Sequence, residues 1–522
     1  MPTFGFLIDN RKCIGCHACT VACKSEHQVP IGVDRTWVKY IEKGEFPYTS
    51  RHFGVMRCNH CDSAPCVTIC PTNALYRRSD GIIDFDNQRC IGCKSCMQAC
   101  PYDALYIDPN DNTAAKCNFC AHRVEAKLEP ACVIVCPTQA ILAGDLDDPA
   151  SQVSRTVATK KVAVRKPYKG TEPKLFYVGI DGDLLEPARL SRQNSYLFAD
   201  QHDQRATEPK FDAGVTREVY DVAHPAPWGW KIAAYLWTKA IAAGVTLVAA
   251  TMVGRNGLLF GTMPALVSPL IALVALGLTV LLLILDLKRP DRFYYLLTKP
   301  NFRSWLVLGA YILFLYGAFC TAWLVSGVLF HGVQGLMVAV TALLAAGTAC
   351  YSAFLFAQAK GRDLWQSPIF FFHLLVNALV AGSAVWLLAT LFYRSHLVAH
   401  DASFFSLAVT LYMLDRAFVL LLFFLSLSLC MTLAELFMPH VSEDARLASQ
   451  NRTRGRFRTR FWGLAIGAGM IAPILLLLLT MNLSLTRAAG ADLMAAAAIL
   501  SLAGVWWFED VWVKAGQSVP LS

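Results

Sequence analysis

This 522-residue sequence predicts two dissimilar parts: a cysteine-rich α+β domain, then an all-α bundle of about eight membrane-crossing helices. Three observations carry that expectation. Sixteen of the 19 cysteines lie between Cys13 and Cys136, and only Cys320, Cys350 and Cys430 lie beyond. They fall in four tight groups rather than scattered pairs, which argues against a disulfide framework. From about Trp228 onward, long apolar runs alternate with short polar loops, so the mean hydropathy of +0.41 averages a polar part with a lipid-facing one.

The first group, Cys13, Cys16, Cys19 and Cys23, reads C-x2-C-x2-C-x3-C, and the third, Cys90, Cys93, Cys96 and Cys100, repeats it. The second, Cys58, Cys61, Cys66 and Cys70, has four residues in its middle gap; the fourth, Cys117, Cys120, Cys132 and Cys136, has 11. Three cysteines two residues apart wrap one face of a cubane iron–sulfur cluster. The fourth, three residues on and usually before proline, ligates the neighbouring cluster. Proline follows Cys70, Cys100 and Cys136, while Lys24 follows Cys23. Structural zinc is the competing use of cysteine tetrads. The exchanged fourth cysteine has no role there, and zinc sites rarely use four such groups in one short domain. The expected domain over residues 1–148 is therefore α+β and ferredoxin-like. Clusters in line make a wire rather than an active site.

Over about residues 3–145 this pattern resembles the iron–sulfur subunits of molybdopterin oxidoreductases of the dimethyl sulfoxide reductase, formate dehydrogenase and polysulfide reductase type. The resemblance implies two bis-[4Fe-4S] halves, one built by the first and fourth groups and the other by the second and third. It assigns Cys13, Cys16, Cys19 and Cys136 to one cluster, and Cys23, Cys117, Cys120 and Cys132 to its neighbour. The third cluster takes Cys58, Cys61, Cys66 and Cys100, and the fourth Cys70, Cys90, Cys93 and Cys96. With all sixteen positions cysteine, four [4Fe-4S] clusters are implied. No dinucleotide or flavin fingerprint accompanies them. The resemblance accordingly implies a separate, molybdopterin-containing catalytic subunit as partner.

Residues 149–227 are polar and rich in Pro, Gly, Asp and Arg, with one strand-like run from Lys174 to Gly179. They read as an extended linker packed on the cysteine domain or on a partner.

The membrane domain, residues 228–522, has eight apolar segments of spanning length, near 230–253, 264–287, 304–330, 333–357, 366–391, 404–437, 461–482 and 490–513. The sixth is overlong, which implies tilt or a part outside the lipid. Fourteen Lys and Arg residues, from Lys288 to Lys514, fall in loops on the side bearing the cysteine domain, against Arg255, Arg394 and Arg487 opposite. The positive-inside rule puts the cysteine domain on the cytoplasmic face of a bacterial-type inner (cytoplasmic) membrane. The net charge of +9 is explained by those loops, and no nucleic-acid partner is expected. The start of the chain shows no export signal.

Ionisable residues inside apolar segments are functional candidates. Tyr235, Lys239, Asp286, Tyr311, Tyr351, His373 and Asn377 fall in the half nearer the cysteine domain, and His373 and Asn377 share a helix face. Reduction of a quinone needs hydrogen-bond partners at two oxygens and two protons, so Lys239, Asp286, His373 and Asn377 are candidate catalytic residues. Lys239 can instead snorkel to the surface, and Tyr311 and Tyr351 can simply pack. Asp415 and Arg416, deeper in the sixth segment, suggest a buried ion pair or, with Lys239 and Glu435, an ion path. Only His373 lies deep in a segment, with His331, His396 and His400 in loops, so no haem is expected.

The run from Asp286 to Leu297 opens Asp-Leu-Lys-Arg-Pro-Asp-Arg and resembles the DLxRPxR signature of polysulfide-reductase-type (NrfD-like) membrane subunits. The stretch from Pro227 to Lys239 is similar to their first helix. Over about 220–440 this resemblance implies a haem-free domain that exchanges electrons with menaquinone or ubiquinone. It brings Trp228 and Arg289 into the quinone-binding set with Tyr235, Tyr311 and Tyr351. Together the two resemblances imply a fused electron-transfer and membrane-anchor subunit of a respiratory oxidoreductase. A cytoplasmic cysteine domain favours oxidation of a cytoplasmic donor and reduction of quinone, with reduction of a sulfur compound by quinol left open. A redox-driven proton-translocating subunit is the alternative, and a plain membrane anchor a third.

Overall fold

The computed structural model describes residues 2–44, 47–191, 216–253, 258–260, 263–330, 332–399, 404–482 and 487–522. Arg255, His331, His400 and the stretch 192–215 lie outside the described residues. The chain forms two compact units, Met1–Pro227 with Ala359–Gly361 and Pro520–Ser522, and Trp228–Gln358 with Arg362–Val519.

The first unit is α+β, as expected. Strands β1 (Phe4–Asp9), β8 (Ile141–Asp145), β9 (Val162–Ala163) and β10 (Leu175–Val178) form one sheet in the order β8-β1-β10-β9. Strand β1 runs parallel to β10 and antiparallel to β8. The strand-like run near 174–179 is therefore an inner strand, with Leu175, Tyr177 and Val178 buried. Residues 149–191 are built into this unit, because their apolar positions complete its main sheet and small core (Leu7, Val153, Val178). A second sheet joins β2 (Thr36–Lys43), β3 (Ser50–Arg57) and β11 (Arg217–Tyr220). Two short hairpins, β4 (Leu75–Arg77) with β5 (Ile83–Phe85) and β6 (Leu105–Ile107) with β7 (Ala114–Lys116), complete the strands.

Short helices carry the cysteine groups: α1 (Ala18–His27), α2 (Pro65–Ile69), α3 (Ser95–Ala99), α4 (Ala121–Glu125) and α5 (Ala131–Ile134). Helix α6 (Gln152–Thr159) packs against the main sheet through Val153.

The second unit is helical: α7 (Trp230–Ala250), α8 (Ser268–Asp286), α9 (Trp305–Phe330), α10 (Gly335–Gln358), α11 (Ile369–Ala399), α12 (Phe404–Phe437), a short α13 (Glu443–Thr453), α14 (Ala472–Asn482) and α15 (Arg487–Gly516). Widened turns at Met263–Val267 and Arg460–Ile471 extend α8 and α14 to spanning length. Among the described residues, eight helices are long and apolar enough to cross a membrane. His396, expected in a loop, is exposed within α11, which runs on to Ala399.

Helix α7 is the most enclosed span, and its apolar composition all round matches that position. Its crossing with α11 depends on two glycines. A Cβ on Gly244 would fall 1.8 Å from the Ala378 carbonyl oxygen, and one on Gly382 would fall 2.1 Å from the Gly244 backbone. Small residues let helices approach where lipid supplies no hydrophobic drive. Gly382→Ala should therefore separate the pair and cost about 1–3 kcal/mol, read as a lower melting temperature in detergent; a gain in stability would contradict this packing.

Asp415 and Arg416 do not form the expected buried pair. Both are exposed on α12, and Arg416 lies over the Tyr412 ring at 5.3 Å. Adjacent helix positions point apart by about 100°, so they do not face each other.

Candidate functional site

The sixteen cysteines are gathered by one repeated backbone device. In the leading C-x2-C of each group the second intervening residue is left-handed: Gly15 (φ 71°), His60 (φ 44°), Gly92 (φ 68°) and Phe119 (φ 63°). This turn folds the chain back over the first sulfur, so that His60 N–H donates to Cys58 Sγ (3.5 Å) and Gly92 N–H to Cys90 Sγ (3.4 Å). At Gly15 the absence of a side chain is required twice over, since a Cβ would also meet the Phe53 ring at 2.5 Å. At His60 and Phe119 the conformation costs about 1–2 kcal/mol each. Packing holds it: Phe119 lies 4.0 Å from the Phe6 ring centroid, and His60 Nδ1 accepts from the Ile83 N–H at 3.2 Å.

Four tetrads result. Cys13, Cys16, Cys19 and Cys136 line one small cavity. Cys58, Cys61, Cys66 and Cys100 line a second. Cys70, Cys90, Cys93 and Cys96 line a third. Cys117, Cys120 and Cys132 are all within electrostatic reach of Cys23. The tetrads also follow one another. Cys19 is within electrostatic reach of Cys132, Cys117 of Cys58, and Cys96 of Cys66. The two middle tetrads are wholly buried, whereas Cys16 is exposed and Cys13, Cys136, Cys90 and Cys93 are half-buried at the two ends.

The donor set fits a polynuclear core. Among the described residues no three His, Cys, Asp or Glu side chains converge on a point that could hold one metal ion. A zinc site would bring four sulfurs to about 2.3 Å from one centre. Burial pushes the thiols of Cys19 and Cys100 up to about 11, so thiolates packed this way need a cationic core to remain ionised.

In the helical unit, some predicted polar residues meet and others do not. Tyr235 Oη lies 2.7 Å from Ser352 Oγ, and Lys239 Nζ donates to the same oxygen (2.6 Å) and to the Ala349 carbonyl (3.0 Å). The ammonium also lies 4.8 Å from the Tyr351 ring centroid. Lys239 is buried and hydrogen-bonded rather than snorkelled. Around His373 a second group forms: Nε2 is 3.3 Å from Glu435 Oε2, and Arg452 spans both Glu435 oxygens at 3.2 and 3.4 Å. Asn377 Oδ1 accepts from Ser428 Oγ at 3.4 Å.

Tyr311 is half-buried against Phe302, and Trp228 stacks on Trp365; neither joins these groups. Arg289 pairs with Asp291 in the loop after α8, and Asp286 is half-buried at the end of that helix.

Sequence reasoning missed Ser352, Glu509 and the burial of Arg452, which was counted as a loop charge. Glu509 is 1 % exposed, within electrostatic reach of Lys239, and among the described residues neither of its oxygens has a hydrogen-bond partner. Its position inside the last apolar run was the available signal. His373 Nδ1, Asn377 Nδ2 and Trp512 Nε1 are likewise buried and unpartnered, and the His373 ring lies 6.4 Å from that of Trp512. Such groups require a partner that the helices do not supply.

Residues 218–520 match the family described as polysulphide reductase, NrfD. Residues 12–75 and 50–146 match two families of 4Fe-4S dicluster domains. A tetrathionate reductase subunit of Salmonella typhimurium is 45% identical over 188 residues, which is 35% of this chain and 75% of that protein. A thiosulfate reductase electron transfer subunit of Salmonella typhi is 46% identical over 159 residues, 30% of this chain and 82% of that one. A polysulfide reductase component of Wolinella succinogenes is 42% identical over 178 residues, 34% and 93% respectively.

Proposed function

The chain belongs to the polysulphide reductase NrfD family, and on that premise we propose that it carries electrons between a separate molybdopterin-containing subunit and the quinone pool. It is a multi-pass membrane protein with an iron–sulfur dicluster region, an electron-transfer and membrane-anchoring subunit of an oxidoreductase. The soluble substrate is handled by the partner subunit. The relatives' names, reductases of tetrathionate and polysulfide, support electron flow from quinol toward a soluble acceptor. The loop charges support a cytoplasmic position for the cysteine unit.

One observation carries the reading: four cysteine tetrads in succession, buried in the middle and reaching the surface at both ends. That order suits [4Fe-4S] clusters held by Cys13, Cys16, Cys19 and Cys136; by Cys23, Cys117, Cys120 and Cys132; by Cys58, Cys61, Cys66 and Cys100; and by Cys70, Cys90, Cys93 and Cys96. Such clusters accept and release single electrons, while the cysteines hold their order and keep water from the inner pair. Quinone chemistry falls to the buried polar groups of the helical unit. Lys239 and Tyr235, joined through Ser352, can donate to one ring oxygen, and His373 and Asn377 to the other. Glu509 and Glu435 can relay the protons.

The test is purification of the complex from native membranes without oxygen, with mass spectrometry of its partners and iron analysis. A molybdopterin subunit and about 16 irons per chain are expected; multihaem cytochromes as the only companions would refute the partner assignment. Lys239→Met should lower quinol-linked turnover by about a hundredfold or more while dye-linked reduction of the clusters persists. Unchanged turnover would make the helices a plain anchor. A proton-translocating role is favoured by one observation, the unpartnered Glu509 carboxylate near Lys239. It requires charge movement in liposomes beyond that of quinone protonation.

A further inference from the structure

Arg57, the last residue of β3, is 0 % exposed. Its Nη1 donates to Cys132 Sγ at 3.1 Å, and its guanidinium lies 4.5 Å from the Phe6 ring centroid. Among the described residues Nε and Nη2 have no hydrogen-bond partner, and the charged neighbours of the guanidinium are cysteines. An unpaired buried cation is strongly unfavourable. The sulfurs are its one counter-charge here: Cys23, Cys117 and Cys120 are within its electrostatic reach as well as Cys132, and so is Cys19 of the end tetrad. The residue that follows, Cys58, belongs to the next tetrad, and Cys117 lies within reach of that thiol.

We propose that Arg57 is a positioning residue for electrons, a fixed cation that raises the reduction potential of the cluster held by Cys23, Cys117, Cys120 and Cys132 at the joint between the two ferredoxin-like halves. The inference rests on the four-cluster reading. Cluster potentials respond to net charge and to hydrogen bonds at the sulfurs. One electron arriving from a neighbouring cluster adds one negative charge to this cluster, and the guanidinium stabilises that charge with no proton taken up. It acts through the sulfurs and exchanges nothing itself.

The test is an anaerobic redox titration of the purified complex followed by electron paramagnetic resonance, comparing wild type, Arg57→Gln and Arg57→Lys. Cys132→Ala identifies the signal. In Arg57→Gln the oxidised-to-reduced ratio of that cluster at a fixed potential should rise about tenfold, equal to about 59 mV for one electron. Arg57→Lys should move it less, and the signal of the Cys70, Cys90, Cys93 and Cys96 cluster should stay in place. An unmoved midpoint in Arg57→Gln overturns the proposal, as does an equal shift of all four signals. Loss of the cluster in both variants makes Arg57 structural and also overturns it. If Cys132→Ala removes no signal from the spectrum, the four-cluster reading itself has failed instead.

Discussion

Cys117→Ala is expected to stop electron transfer between the partner subunit and quinone, with losses well beyond the about 10–100-fold that follows removal of an outer partner of a metal ligand. Cys117 is buried in an inner tetrad and lies within electrostatic reach of Cys58 in the other inner tetrad. On the proposed assignment, losing it removes one ligand thiolate and interrupts the series at its middle. The loss should reach beyond function. Around the tetrads the apolar core is divided into small clusters, such as Trp37, Ile41, Met56, Leu184 and Leu190. A cluster bound only by the folded chain contributes its binding energy to folding. The variant should therefore also expose the first unit to protease. Cys430→Ala is the control: that thiol is exposed on a membrane helix, outside the tetrads, and its removal should change neither property. Turnover in Cys117→Ala above about a tenth of wild type, on the same scale of ligand losses, would sink the prediction.

Arg452→Met should destabilise the helical unit by about 3–5 kcal/mol, because it strands a buried carboxylate. Arg452 is 1 % exposed and Glu435 6 %, and their side chains meet in two hydrogen bonds. The Arg452 guanidinium also lies over the rings of Phe461 and Trp512, at 5.1 and 5.3 Å. Removing both charges, as Arg452→Met with Glu435→Gln, should restore most of the loss, since the carboxylate is no longer charged and stranded. Melting in detergent separates the cases. A single variant as stable as the double would show that an unpaired Glu435 carboxylate carries no burial penalty and would overturn the prediction.

Spacing made the tetrads legible in the sequence, because ligand chemistry fixes both residue type and interval. Hydropathy likewise made the eight spans legible, since about 20 apolar residues have few other uses. What stayed hidden depends on burial and direction. Arg452 and Arg57 look like any other basic residue in sequence, yet one closes an ion pair and the other faces sulfur. Asp415 and Arg416 look like a buried pair, yet helix geometry turns them outward. The run 149–191 reads as an extended linker, since a single inner strand, Leu175–Val178, leaves only a short apolar trace. Glu509 followed the same rule that singled out Lys239, and only its unpartnered oxygens reveal its place in the buried polar set.

The nesting of the cysteine groups has a consequence for biosynthesis. The tetrad of Cys58, Cys61, Cys66 and Cys100, and that of Cys70, Cys90, Cys93 and Cys96, are complete once residue 100 has left the ribosome. The other two tetrads cannot close until Cys132 and Cys136 emerge, although Cys13, Cys16, Cys19 and Cys23 have been waiting since the start. Chains emerge at about 5–20 residues per second, so those four thiols spend several seconds unpaired. Each tetrad therefore becomes complete in an order that runs from the inside of the sequence outward. The earliest cysteines are thus the last to gain a complete set of neighbours.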